Sequence, residues 1–369
     1  MLEEFHWSRA SLAGVFSLYA FMYPMIGSLA GQLTDRVGPR IVLSVGGCLL
    51  CGAMVGMAFV TQLWQPYVLY GVVAGIGMSA AYVPCNATVV RWFVAHRGLA
   101  VGVAMSGAST GTFVVPLVAQ VLVGSVGWRA AYVTFGIAVA VTLLLVAPLM
   151  RRDPESLGLS PDGRLQPARG VSVEPGAWPL SRALRSRVFW ILAATFSLTW
   201  VPVFIPLVHL VPFARDLGHS PMTAAWVVST LGVGAIAGRL TMGVVSDRLG
   251  RVPSLRVALV VQAGACLAFL ATHGLVSLLL ASAFYGFGYA AVSTLFPPLV
   301  TDFFGRAHAG AIVGALFAVA GSLGGLGPWI AGVLYDATGG YTSTWTLCAA
   351  LNAGAFLVLT LARPPARRV

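Results

Sequence analysis

Charge is what this chain has least of. Charged residues make up 9% of its 369 positions and hydrophobic residues 58%, where a soluble protein carries about 25% charged residues. So few charges cannot cover a water-facing surface, which excludes a soluble globular protein and leaves lipid as the solvent. Acidic residues are the scarcer sign, 11 against 22 basic, and none lies in the middle of an apolar run. No grouping of nucleophile, base and metal ligands can be assembled from the polar residues, which argues against an enzyme and gives no cofactor to expect. Met1 to Arg9 is polar and acidic, with no basic start and no clear cleavage site, so no cleavable leader is evident. Cysteine is sparse, and Cys48-Leu-Leu-Cys51 has redox-pair spacing inside an apolar run, where it reads as helix packing. Gly107-Ala-Ser109-Thr-Gly111 matches a nucleophile elbow and Gly232-Val-Gly234-Ala-Ile-Ala237 a dinucleotide fingerprint. Both patterns need a strand turning into a helix, and both fall inside apolar runs.

What the chain has is apolar runs of about 20 residues, long enough to cross roughly 30 Å of hydrocarbon as helices. Eleven are read, near 10–31, 41–61, 66–90, 98–124, 128–150, 188–213, 221–243, 254–273, 275–299, 308–334 and 342–362. The expected fold class is therefore an all-α, multi-pass integral membrane protein. The net charge of +11 invites a nucleic-acid reading, but its placement argues against one. Arg36, Arg40, Arg91, Arg97, the arginines of 151–187, Arg248, Arg251, Arg256, Arg306 and those of the C-terminal tail fall in alternate loops. The opposite loops hold Arg9, Arg129 and Arg215. This positive-inside asymmetry puts the tail and the 151–187 loop in the cytoplasm, with the cell (inner) membrane as the expected location.

The chain also repeats itself at a constant offset of 212 positions. Gly31-Gln-Leu-Thr-Asp35-Arg36-Val-Gly38 returns as Gly243-Val-Val-Ser-Asp247-Arg248-Leu-Gly250. The same shift carries Ser8 onto Ser220, Gly98 onto Gly310 and Pro116 onto Pro328. Repeated halves in an apolar chain are the mark of a secondary transporter. The organisation expected is a helical bundle over 1–150, a cytoplasmic linker over 151–187 and a second bundle over 188–369, with Ser181 to Arg187 readable as a short helix on the membrane surface or as a plain tether. Run 188–211 maps back to positions before Met1, so the first half reads as lacking its opening helix, by truncation or by a start site placed too far downstream. Glycines at four-residue spacing, concentrated in 98–124 and 308–334, predict two tightly packed helices there.

The repeated Gly-x-x-x-Asp-Arg-x-Gly element lies at the cytoplasmic ends of runs 10–31 and 221–243. Gly31 and Gly243 permit close helix contact, Asp35 and Asp247 can face a helix N-terminus or pair with an arginine, and Arg36, Arg40, Arg248 and Arg251 hold the loop at the headgroups. It reads as a gate latch or as a static turn that fixes topology; its presence at both repeat positions favours the latch. Arg239 lies eight residues before Asp247, about 12 Å deeper at ~1.5 Å per residue, which is near the bilayer midplane. No acid in any run neutralises it. An Arg there costs at least ~2.5–3.5 kcal/mol, so it reads as a fork for gripping a carboxylate or as a side chain snorkelling to the interface, and the depth favours the fork. Tyr82 and Asn86 are polar-tipped in run 66–90 and could touch the substrate or simply pack. His209, near the outer end of run 188–213, could carry a proton or be a packed interfacial histidine.

The element Gly31 through Arg40 resembles the signature loop of the major facilitator superfamily. Tyr82-Val-Pro-Cys-Asn86-Ala-Thr-Val-Val-Arg91-Trp92-Phe93, Arg97-Gly98-Leu-Ala-Val-Gly102, Gly127-Trp128-Arg129-Ala-Ala-Tyr132 and Tyr335-Asp336-Ala-Thr-Gly339-Gly-Tyr341 resemble its monocarboxylate and oxalate/formate branch. The resemblance covers nearly the whole chain. It implies two pseudo-symmetric bundles of a fold that usually has twelve helices, here eleven. It also implies a secondary transporter of a small organic anion, with the Arg in this helix contacting the anion. The branch's acid one turn before that Arg is Ala235 here, and a second basic residue in run 308–334 is missing, so a monocarboxylate is expected over a dicarboxylate. The glycine-proline element of drug exporters is absent from run 98–124. The partners expected are the organic anion, a proton by symport or a counter-anion by exchange, and the lipid bilayer, with a monomer as the working unit. The competing readings are a permease or exporter of a neutral solute or drug, and a non-transporting, truncated chain.

Overall fold

The computed structural model describes residues 2–93, 97–154, 157–159, 178–272, 274–305 and 309–362. No strand occurs among them. The helices, in chain order, are α1 (Leu2–Phe5), α2 (Arg9–Val37), α3 (Pro39–Met57), α4 (Trp64–Pro66), which runs through a π-wound stretch Tyr67–Ala74 into α5 (Gly75–Trp92), and α6 (Arg97–Val146). After the linker come α7 (Leu180–Leu184), α8 (Arg187–Val203), α9 (Ile205–Asp216), α10 (Pro221–Leu249), α11 (Arg251–Leu270), α12 (Leu275–Phe304), α13 (Ala309–Gly324), α14 (Gly327–Thr338) and α15 (Thr342–Thr360). The short α7 overlaps Ser181 to Arg187, the stretch readable as a short helix or a plain tether.

Nine stretches among the described residues are long and apolar enough to cross a membrane. One of them, Val103–Leu149, covers most of both expected runs 98–124 and 128–150. Gly127 divides it: its φ of 80° and ψ of 164° are non-helical, a conformation that glycine adopts without a Cβ clash. Run 66–90 is helical as well, but is not among the nine.

The 212-residue offset is physical as well as textual. Ser8 Oγ accepts from the Ser11 amide at 3.1 Å, and Ser220 Oγ accepts from the Thr223 amide at the same distance. These are N-caps, each satisfying an otherwise orphaned amide at the start of α2 or α10. At the other ends of the same two helices, Gly38 (φ 86°, ψ 159°) and Gly250 (φ 88°, ψ 157°) make the same turn into α3 and α11. Any side chain would be strained at either position, which is why the motif closes on glycine. Before α2, His6 takes a positive φ of 52° where its equivalent is Gly218 at 85°.

Residues 15–107 and 121–172 form one compact unit, and residues 1–14, 108–120 and 173–369 another. In the first, α3 and α5 meet backbone to backbone, since a Cβ on Gly46 would stand 2.9 Å from the Gly77 carbonyl oxygen. Arg40 Nε donates to the Met150 carbonyl at 2.8 Å and Trp92 Nε1 to that of Arg151 at 3.0 Å, tying the end of the first repeat to α3 and α5. In the second unit, Phe189, Phe196, Leu259, Phe296, Leu299 and Leu316 fill one core cluster, and Leu210, Phe213, Phe269, Tyr285 and Trp345 another.

Two of the expected continuous runs are broken. Run 188–213 is α8 and α9, interrupted at Phe204 between Pro202 and Pro206; run 308–334 is α13 and α14, interrupted at Gly325 and Leu326. Pro206 has no N–H for the carbonyl of Pro202, and the buried Tyr285 hydroxyl donates to that carbonyl at 2.6 Å instead. In lipid such a substitute partner is required. The breaks touch: a Cβ on Gly327 would stand 2.0 Å from the Val201 oxygen, and one on Gly324 3.0 Å from that of Trp200. The expected close packing at Gly107, Gly111 and Gly314 is not found; a Cβ there would meet nothing within 4 Å among the described residues. Further close approaches at glycine are made by α10 and α12, as described next.

Candidate substrate site

Arg239 sits on a helix that packs tightly against its neighbours. A Cβ on Gly234 would stand 1.9 Å from the Ala283 oxygen, one on Gly238 2.3 Å from that of Phe287, and one on Gly286 2.0 Å from that of Leu231. Helices α10 and α12 therefore meet backbone to backbone along one face. On another face of α10, a Cβ on Gly232 would stand 2.5 Å from the Phe113 amide nitrogen of α6. Arg239 follows Gly232 by seven residues, two helical turns, and so shares the face towards α6. There its Nε donates to Ser109 Oγ at 2.8 Å. Ser109 is fully buried and Arg239 half-buried. No hydrogen bond or ion pair engages the two terminal guanidinium nitrogens among the described residues.

A second polar cluster gathers around Arg9 at the start of α2. Its terminal nitrogens donate to both carboxylate oxygens of Asp216, at 2.8 and 2.7 Å, and one also donates to the Tyr341 hydroxyl at 2.9 Å. The guanidinium carbon lies 3.9 Å from the centre of the Tyr335 ring. Asp336 accepts from the Ala10 amide at 3.0 Å. His209, 2% exposed, uses both ring nitrogens, Nδ1 with Tyr341 Oη at 3.0 Å and Nε2 with the Pro328 carbonyl at 2.8 Å. A carbonyl only accepts, so Nε2 carries the hydrogen. Nδ1 pairs with the Tyr341 hydroxyl, whose oxygen accepts from Arg9. Burial pushes the Tyr341 phenol well above its ordinary pKa, so it keeps the proton that this chain of bonds needs. Replacing Arg9 by Gln breaks the pair with Asp216, which is exposed to water, and is expected to lower stability by about 1 kcal/mol. Asp216→Asn added on top should change little further, because the pair is already broken. Thermal unfolding of the two single variants and the double variant checks this.

At the repeated loops, Asp247 pairs with Arg251 one turn on, and Arg251 also donates to Ser246 Oγ. Arg36 and Arg248 are exposed. A Cβ on Gly243 would meet nothing within 4 Å among the described residues. Arg40, as noted, binds the Met150 carbonyl.

A family model described as Major Facilitator Superfamily matches residues 1–325 and again 202–369. The chain belongs to the major facilitator superfamily. Within the superfamily, Monocarboxylate transporter 11 of Mus musculus is 32% identical over 379 residues, covering 98% of this chain and 81% of the relative. Monocarboxylate transporter 12-B of Danio rerio is 29% identical over 365 residues, covering 91% of this chain and 75% of the relative. The crystal structure of a D-xylose-proton symporter superposes with a TM-score of 0.74 at 17% identity, covering 95% of this chain and 87% of that one. That of a bacterial homologue of the human lysosomal transporter Spinster gives 0.70 at 16%, covering 98% and 89%. At these identities the structures show the superfamily fold alone.

Of the substrate-site residues predicted for this superfamily member, Arg239 and His209 have described side chains. Arg239 and His209 have separate partners, Ser109 for the first and Tyr341 with Pro328 for the second. The side chains of Asp35, Tyr82 and Asn86 lie outside the described ones. Ser109 and the Arg9–Asp216–Tyr341 cluster were not anticipated as functional. Arg9 counted only towards topology, and Ser109 appeared only inside a dismissed motif. One signal was available for each: Tyr335, Asp336 and Tyr341 belong to a stretch already singled out, and Ser109 stands in a run facing the same midplane as Arg239.

Proposed function

We propose that this transporter carries a small organic anion, a monocarboxylate, across the cell membrane by alternating access, with Arg239 gripping the carboxylate. The observation that carries the reading is the Arg239–Ser109 bond. Ser109 precedes Phe113 by four residues and Arg239 follows Gly232 by seven, so the Arg239 backbone stands about 4.5 Å further along than Ser109, at ~1.5 Å per residue. The guanidinium therefore reaches back along α10, away from the Asp247 end, as helical side chains tilt. Snorkelling would take it the other way. A cation held at depth with two nitrogens unused among the described residues suits an anionic ligand, and the relatives named as monocarboxylate transporters point to the same class. In this reading proton symport is the first choice of coupling and anion exchange the second. The repeated loops latch the cytoplasmic ends, the C-terminus is cytoplasmic, and one chain suffices.

Counterflow of labelled lactate or pyruvate into liposomes tests it. Uptake displaced by unlabelled monocarboxylates, weakly by dicarboxylates and not by neutral sugars is the expected result. Uptake of a neutral solute that no carboxylate displaces would contradict it.

A further inference from the structure

The helix that faces Arg239 carries several hydroxyls, and they are not used alike. Ser106 donates to the Val103 carbonyl at 2.6 Å and Thr112 to that of Ala108 at 3.0 Å, each bonding back to its own helix, which is the default for a hydroxyl in an apolar surround. Ser109 lies between them in sequence, is fully buried, and offers its oxygen across to another helix as the acceptor for Arg239 Nε. The Gly232–Phe113 approach fixes the two backbones beside this bond, so the acceptor is held rigidly while the guanidinium ends in a half-buried position.

A guanidinium can meet a carboxylate in two ways: side-on, through Nε and one terminal nitrogen, or end-on, through the two terminal nitrogens. With Nε given to Ser109, the side-on edge is closed and the end-on edge remains. We propose that Ser109 is a positioning residue that commits Arg239 to end-on binding of a single carboxylate. The proposal rests on the reading of Arg239 as the anion holder. Ser109 touches no substrate. It removes two freedoms from the arginine, the rotation of the guanidinium plane and the choice of edge, so that the fork is ordered before the ligand arrives. Pre-ordering a side chain rich in rotamers improves affinity without a new contact to the ligand.

The test is the concentration dependence of lactate counterflow in four variants beside the parent. Ser109→Ala removes the acceptor. Ser109→Cys keeps nearly the same volume with a weak acceptor, and carries the test if the alanine variant does not fold. Ser109→Thr keeps the oxygen. Arg239→Gln removes the fork. Loss of one hydrogen bond to a charged group corresponds to about a tenfold change in affinity. The proposal predicts that KM rises about tenfold in S109A and S109C with the saturated rate little changed, and that S109T restores the parental KM. A serine that merely packs α6 would alter expression or the saturated rate and leave KM alone. Uptake lost in R239Q together with an unchanged KM in folded S109A and S109C overturns the role of Ser109 and leaves that of Arg239 standing. Uptake that survives R239Q overturns both.

Discussion

Gly234→Leu is expected to prevent the second unit from assembling, and Gly234→Ala to destabilise it by about 1–3 kcal/mol or more, the usual range for overpacking. A Cβ at this position has nowhere to go. It would lie 1.9 Å from a backbone oxygen, that of Ala283, on a helix that is itself held from the far side: Gly288 approaches Gln262 at 2.9 Å by the same measure. A flexible side chain could move aside, but a backbone carbonyl in a packed transmembrane helix cannot without separating α10 from α12. Lipid supplies no hydrophobic force between helices, so close packing of small residues has to hold them together. Gly243→Ala, on the same helix but with nothing within 4 Å, serves as the control and should be nearly neutral. Yield of monodisperse protein and the thermal midpoint of the three variants in one detergent decide the matter. Equal midpoints for Gly234→Ala and Gly243→Ala would refute the packing described for α10.

Arg239→Gln should abolish saturable uptake at ordinary substrate concentrations without unfolding the protein. Truncating one partner of a buried, hydrogen-bonded charge pair costs about 2–5 kcal/mol, which is between roughly thirtyfold and a few thousandfold in affinity. Glutamine is neutral, so the variant also removes a charge that is costly to hold at this depth, and the protein should be no less stable for it. Arg239→Lys separates charge from geometry. It retains a cation but has neither the planar fork nor an Nε–H for Ser109. An intermediate loss is therefore expected, with substrate affinity below the parent and above the glutamine variant. Uptake and thermal midpoint measured on the same preparations distinguish loss of binding from loss of fold.

Much of the architecture was legible in the sequence, for a physical reason. A segment solvated by lipid must be apolar over its whole crossing and must satisfy its own backbone, so helices announce themselves by length alone. The repeat was legible because both halves need the same turn: Gly38 and Gly250 occupy one conformation that other residues resist. The breaks at Phe204 and at Gly325–Leu326 were harder to foresee, because transmembrane helices tolerate proline and glycine where a neighbour supplies the missing partner, as Tyr285 does for Pro202.

The sites divide along the same line. Arg239 stood out because a lone charge in an apolar run is a local anomaly. Its partner Ser109 is 130 residues away, and Arg9 and Asp216 are 207 apart. Such pairings leave no periodic trace in a single sequence. A serine in a transmembrane helix is ordinary, and an arginine at a helix start reads as an interface anchor until its acid is located. His209 reads from the sequence as a proton carrier or a packed interfacial histidine; that both of its nitrogens would be occupied, one by a backbone carbonyl, depends on how α14 begins at a break the sequence did not reveal.

The central claim is that a carboxylate sits against the terminal nitrogens of Arg239. It is tested most directly by solid-state NMR of the protein in lipid, grown with 15N-arginine and loaded with lactate labelled with 13C at the carboxyl carbon. The account predicts strong dipolar dephasing of the bound carboxyl signal by terminal guanidinium nitrogens, weaker dephasing by Nε, and loss of the effect in Arg239→Gln. A bound carboxyl signal that shows no dephasing, or dephasing unchanged in Arg239→Gln, would contradict it.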